Sequence, residues 1–326
     1  MNGNETGMMT AMAKGAAAVP AGPKGRRRLW RWVALVTAIL CGVAWFGVGA
    51  VVHHRVDDSL TFAPTERTAK GSMVIDVAAG LITREVDQYG WQSNDPWFYS
   101  TALTDNAAHF QSGMMWAISR LTSELTDHIG RLGAVGRIDE DLQRANGLLR
   151  YPGDVWVLDL RSMLPTPSEM QYRSGRDSLL AYNNRLSAGR AVFEARPDNL
   201  VFLLNRIARD LGSESESIEK RLAESSFVFS NSADDLFYQV KGAVYAYAVL
   251  FNALESDFGT VIKDFRLQSL WAATRQSLAE AATLRPWIVL DSPPGSGLFA
   301  NHLAIEGYHV LRAKARLNDL VRALQI

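Results

Sequence analysis

From Val33 to Val52 the chain runs for 20 residues (VALVTAILCGVAWFGVGAVV) without a charge. At about 1.5 Å of rise per residue a helix of that length reaches about 30 Å, the thickness of a bilayer's hydrocarbon core. The run reads as a transmembrane helix, and whatever follows it folds on one side of a membrane. Lys24, Arg26, Arg27, Arg28 and Arg31 precede it, with Trp30 and Trp32 among them, while His53, His54, Arg55, Asp57 and Asp58 follow. Excess positive charge stays in the cytoplasm. Arg26, Arg27, Arg28 and Arg31 are therefore the topology determinants of a signal anchor whose N-terminus is cytoplasmic.

Three other readings of the run fit less well. A cleaved signal peptide has an apolar core of about 7 to 15 residues; Val48 and Ala50 would suit its cleavage site, but this core is longer. A lipoprotein signal places a small residue directly before its cysteine, and here Leu40 precedes Cys41. A buried core helix does not account for an uncharged run of this length behind so many arginines.

Cys41 is the only cysteine. The residues beyond the span therefore have neither disulfides nor thiolate chemistry and depend on an apolar core. From His53 onward 28 Lys or Arg face 33 Asp or Glu, a weakly acidic balance that argues against nucleic acid as a partner.

Four segments follow. Residues 1–32 read as a disordered, basic cytoplasmic tail, and residues 33–52 as the anchor, in contact with membrane lipid. Residues 53–70, polar and broken by Pro64, read as a tether. Residues 71–326 read as one large helical domain.

Helical periodicity dominates that domain. Val74, Val77, Ala78, Leu81, Ile82 and Val86 form a stripe that Gly90 ends, and Phe110, Met114, Ala117, Leu121 and Leu125 form the next, with Asp105 or Asn106 as its cap. Leu142, Ala145 and Leu149 mark a shorter helix. Ser168 opens a long one closed by Pro197. Asp198 opens another that Gly212 should end, with Ser213 and Glu216 as a capping box for a short helix after it. Residues 234–284 suggest two helices broken near Gly259 or Asp264, and a final helix runs from about Phe299 to Leu324. The fold class is all-α: a single transmembrane helix, then a multi-helix bundle with at most two short strands. The strand candidates are residues 154–160 (DVWVLDL) and 287–291 (WIVLD), each followed by a proline pair, although extended loop pieces that lay a tryptophan on the bundle are the plainer account.

Chemistry is harder to find. His302, Glu306 and His309 share a helix face, but about 10.5 Å of rise separates the two histidines, too far for one ion. Gly295-Ser296-Gly297 lacks the strand and full pattern of a nucleophile elbow. The glycines of GRLGAVG (130–136) lie between helices, where helix termination explains them. No catalytic, cofactor-binding or metal-binding set is assigned, and no cofactor is expected.

The one dense segment is residues 89–110 (YGWQSNDPWFYSTALTDNAAHF). Its aromatics interleave with short polar residues, making Trp91, Asn94, Asp95, Trp97, Asp105 and Asn106 a candidate binding loop for a glycan or peptide. Core packing of the loop aromatics is the plainer account.

Four stretches carry a family resemblance: REVDQYGWQSNDPWF from Arg84, DNAAHFQSGMMWAISRLTSEL from Asp105, RPDNLVFLLNRIARDLG from Arg196 and NHLAIEGYHVLRAKARL from Asn301. With these the chain, from about Ser72 to its end, resembles bacterial membrane proteins grouped as domain of unknown function 2333. The resemblance implies an inner-membrane protein with a periplasmic domain and carries over no activity and no functional residues. The expected function is docking of another protein of the cell envelope. The alternative is an enzyme acting on a periplasmic polymer such as peptidoglycan or a lipid-linked glycan.

Overall fold

A computed structural model describes residues 24–53, 56–96, 98–103, 105–129, 131–132, 137–157, 165–224, 231–286, 289 and 301–325. The chain divides into two compact units that meet in sequence between Trp45 and Phe46. Helix α1 (Lys24–His53) contains Arg28–Gly47, 20 residues of mean hydropathy 1.7, none buried. It is the one helix among the described residues long and apolar enough to cross a membrane.

The second unit is built of helices, as its periodicity predicts, with one two-residue strand pair. Its helices are α2 (Met73–Thr83), α3 (Asn106–Glu124), α4 (Glu140–Leu149), α5 (Ser168–Ser187), α6 (Pro197–Glu224), α7 (Asn231–Asp257), α8 (Gly259–Asp264), α9 (Gln268–Ala282) and α10 (His302–Leu324). Helix α7 is the axis: every residue from Val240 to Phe251 is buried, so it is enclosed on all sides. Helices α2, α3, α6, α9 and α10 pack around it. Trp271 of α9 stacks on Phe251 at 4.1 Å.

Glycines set the closest approach. A Cβ on Gly113 of α3 would overlap the carbonyl of Gln239, and one on Gly242 of α7 would overlap the carbonyl of Phe110. The two backbones therefore touch. His109 faces Asp235, Gly113 faces Gln239 and Ala243, and Trp116 faces Tyr247. These contacts advance in the same direction along both helices, so α3 and α7 run parallel and their N-terminal ends lie together.

Several boundaries differ from the sequence reading. Helix α6 runs through Gly212 to Glu224, so neither the glycine stop nor the Ser213 capping box is used. A Cβ at Gly212 would lie 2.7 Å from Lys314 Nζ, the flexible end of a side chain of α10, the helix packed along α6. The strands also fall elsewhere: Arg131–Leu132 (β1) pairs antiparallel with Arg137–Ile138 (β2). Residues 154–157 are irregular because the backbone of Val155 is occupied at the start of α5. Its N–H donates to Ser168 Oγ at 3.0 Å and its carbonyl accepts from Ser168 N at 3.1 Å. Residues 158–160 and most of 287–291 lie outside the described residues.

Residues 56–70, read from their polarity as tether, are docked on the bundle. Asp58 is 2% exposed and takes Lys241 Nζ at 2.8 Å and Arg285 Nε at 2.9 Å. Burial pushes its pKa up, and the bonds from Arg285 and Lys241 outweigh that and hold it down. The start of α2 is closed from the far end of α7, where Asp257 accepts from Met73 N at 2.7 Å and Val74 N at 3.0 Å.

Between α6 and α10 the core holds two uncompensated carboxyls. Glu306 is fully buried and neither of its oxygens has a hydrogen-bond partner. Burial drives its pKa well up against the pull of Lys241, and nearby Glu214 adds to the rise. Burial, with a contribution from Asp210, pushes Glu214 from 4.5 up to about 7. Raised carboxyls favour the fold while protonated. Below about pH 4.5 both states hold the proton; as pH rises the unfolded chain releases it first, and the deficit is complete above about pH 7. Between pH 4.5 and pH 8, Glu214→Gln should gain about 3 kcal/mol relative to wild type. Denaturant unfolding of the detergent-solubilised chain at the two pH values measures it, and Glu306→Gln should move in the same direction.

Candidate functional site

The polar cleft of the domain is formed by the loop after α2 and the start of α3. Helix α2 does not end cleanly: Arg84–Gln88 continues it as a π-helical turn, and Gly90 at φ 81° reverses the chain. The wide turn aims Arg84 inward, where it is 3% exposed. Its Nε donates to Glu85 at 2.7 Å and its Nη1 to Tyr245 Oη at 2.7 Å. The guanidinium also lies 5.2 Å from the Phe62 ring centroid and 5.1 Å from that of Tyr245. Burial raises the pKa of Glu85 despite Arg84.

Gln111 carries this network to the loop. Its Nε2 donates to Glu85 at 3.1 Å and to the Gly90 carbonyl at 2.9 Å, and its Oε1 accepts from Gln92 N at 2.9 Å. Trp91 is 6% exposed, donates to the Gly153 carbonyl at 2.7 Å and packs edge-on against Tyr172 at 4.9 Å. Asn94, also buried, donates to the Val155 carbonyl at 2.9 Å and to Glu169 at 2.7 Å. These two members of the expected binding loop are structural: they fasten it to the 151–157 segment.

Asp95 and Asp105 do line a cavity, of about 610 Å³, together with Asp154 and His109. Ser93, Thr101 and Ser112 add hydroxyls. Thr101 Oγ1 donates to Asp95 at 2.7 Å, and Ser93 and Ser112 bond to each other at 2.8 Å. Asn106, half-buried, is the first residue of α3, and Trp97 lies outside the described residues. Arg26, Arg27, Arg28 and Arg31 all belong to α1.

The sequence reading missed His109 and Asp235. His109 Nε2 lies 3.4 Å from Asp235 Oδ1, and one donor atom each from Asp105, His109 and Asp235 fall within 4.8 Å of one another. Asp234 is pushed up to about 6, first by burial and then by the charges of Asp105 and Asp235. The spacing of Asp105 and His109, one helical turn apart, was the available signal. The His302, Glu306 and His309 face makes no such set: Glu306 turns into the core while His309 Nδ1 is 3.9 Å from Glu280.

A family model described as "Uncharacterized protein conserved in bacteria (DUF2333)" matches residues 32–230 and 229–326. No curated protein and no solved structure matches the chain.

Trp91 links the cleft to the core, so Trp91→Ala should cost roughly 3 to 5 kcal/mol, the usual loss for a large buried aromatic. Thermal melts of the full chain check this, and an unchanged melting temperature would remove Trp91 from the packing account.

Proposed function

The chain belongs to this bacterial family, and from that premise we propose a single-span inner-membrane protein whose periplasmic helical domain binds a hydroxyl-rich envelope ligand, a glycan, in its acidic cleft. The observation that carries the reading is the cavity lined by Asp95, Asp105 and Asp154 and by the hydroxyls of Ser93, Thr101 and Ser112. Carboxylates accept from sugar hydroxyls, and serine and threonine both donate and accept. Phe98 and Tyr99, 46% and 41% exposed, lie between Asp95 and Thr101 in the chain, with Trp156 edge-on to Phe98 at 6.0 Å. Exposed aromatic faces so close in the chain to the cavity-lining Asp95 and Thr101 are of the kind that pack on the C–H face of a sugar ring. A dry, filled loop would have favoured docking; a polar cavity favours a ligand.

The orientation rests on the basic cluster before the apolar run. Docking of a second envelope protein keeps support of its own from α10. Ile305, Tyr308 and Leu311 are 42%, 63% and 51% exposed and follow one another at i, i+3 and i+6, a stripe suited to a partner helix.

Calorimetric titration of the detergent-solubilised chain with soluble peptidoglycan disaccharide-peptides and N-acetylglucosamine oligomers tests the cleft. Wild type should bind one of these, and Asp154→Ala and Ser112→Trp should weaken binding by at least about tenfold, a loss of about 1.4 kcal/mol. Absence of binding by wild type to both probes counts against the reading. Product analysis of the same mixtures registers any hydrolysis by the cleft carboxylates. For orientation, a reporter active only outside the cytoplasm should be active when fused after Ile326. A fusion active only in the cytoplasm would reverse the topology.

A further inference from the structure

We infer that Asp105, His109 and Asp235 form a binding site for a first-row divalent transition-metal cation, of which Zn2+ is the type, in the wall of the acidic cleft. Their three donor atoms lie within 4.8 Å of one another. Donors about 2.1 Å from one ion are at most about 4.2 Å apart, and at tetrahedral angles about 3.4 Å apart. His109 Nε2 and Asp235 Oδ1 are already 3.4 Å apart. Rotation of the exposed Asp105 side chain supplies the remaining approach, at most about 1.4 Å to the tetrahedral spacing.

The positions are held by rigid elements. Asp105 and His109 are one turn apart, with the His109 amide donating to the Asp105 carbonyl at 2.9 Å. Asp235 comes from the start of α7, whose register against α3 is fixed where Gly113 meets Gln239. A fold in which α3 and α7 cross this closely brings the imidazole and the carboxylate together without further choice.

Three observations separate this set from an ordinary acidic helix start. Asp105 stands at the N-cap of α3, yet its carboxylate makes no capping bond, the usual task of Asp at that position. Asp235 Oδ1 is shielded from solvent and has no hydrogen-bond partner; His109 Nε2 stands beside it at 3.4 Å, a separation long for a hydrogen bond and ordinary for two ligands of one ion. The charge is also unbalanced. Two helix N-terminal ends supply about half a positive charge each, against the three carboxylates Asp105, Asp234 and Asp235.

The donor set indicates which cation. Imidazole suits zinc and its neighbours, whereas Mg2+ and Ca2+ take all-oxygen shells. Asp105 and His109 also line the cavity, so the remaining coordination position opens toward the cleft, where water or a ligand oxygen completes the shell. The metal site shares a wall with the glycan reading and stands without it.

The test uses the untagged full chain in detergent, stripped with chelator and titrated separately with Zn2+, Mg2+ and Ca2+. One Zn2+ per chain should bind, with Mg2+ and Ca2+ at least about tenfold weaker. His109→Ala and Asp235→Asn should each weaken Zn2+ at least about tenfold, while Asp154→Asn, in the same cavity but outside the donor set, should retain it. His109 and Asp235 side chains are both 34% exposed, and thermal melts confirm that the variants remain folded. X-ray absorption of the zinc form should show one imidazole in a shell otherwise of oxygen. Wild type that binds no stoichiometric Zn2+, or zinc binding indifferent to both substitutions, overturns the site. Zinc binding without sugar binding would remove the glycan reading and leave this one; sugar binding without zinc would do the reverse.

Discussion

Contact between two backbones organises the domain. Where α3 crosses α7, Gly113 meets the Gln239 carbonyl and Gly242 meets the Phe110 carbonyl, with no room for a Cβ on either side. Side chains at a helix interface ordinarily act as spacers, and their rotamers let helices slide by small amounts. Bare backbone does not. The crossing therefore fixes which residues meet on either side of it: Phe110 against Tyr245 at 5.5 Å, Trp116 against Tyr247 at 6.5 Å and His109 against Asp235. Because the helices run parallel, the crossing also gathers their two N-terminal ends beside the cleft.

The loop that forms the rest of the cleft is held to this crossing by buried charge. Arg84 and Glu85 are 3% and 1% exposed, and an ion pair so placed recovers little more than its desolvation cost. Its effect is on specificity. Removing one partner strands the other, typically at a cost of 3 to 5 kcal/mol, so alternatives to the native arrangement are penalised. Through Tyr245 the pair is tied to α7, and through Gln111 to α3 and to Gly90 and Gln92. The π-helical turn at Arg84–Gln88 is the local distortion that makes this possible, because a wider turn redirects the side chains of an otherwise regular helix.

What could be read in the sequence followed from local periodicity. The apolar run, the stripes of α2 and α3, the extent of α10 and the turn at Gly90 all depend on residues close together in the chain. The failures share a cause in distant partners. Gly212 has the look of a stop because nothing near it in sequence announces α10, along which α6 continues to Glu224. Bonds to the 151–157 segment turn Trp91 and Asn94 inward, in line with core packing of Trp91, while Asp95 and Asp105 stay at the cavity. His109 was passed over for the same reason: half of its constellation is on α7.

The two groups of carboxyls in this domain also differ in what they contribute. Glu214 and Glu306 are enclosed between α6 and α10, and the pull of Lys241 on Glu306 does not offset its burial. Burial raises the pKa of both, so they hold their protons to higher pH than an ordinary carboxyl and weaken the fold when they ionise. Asp105, Asp234 and Asp235 are only partly enclosed, at the positive ends of two helices and next to a cavity that solvent and solutes enter. Helix ends stabilise negative charge there, and Asp105 and Asp235 can turn toward a ligand without leaving a buried group unpaired. The same residue type is thus an internal cost in one place and an available ligand in another. The difference is set by where the α3–α7 crossing and the α6–α10 packing leave space.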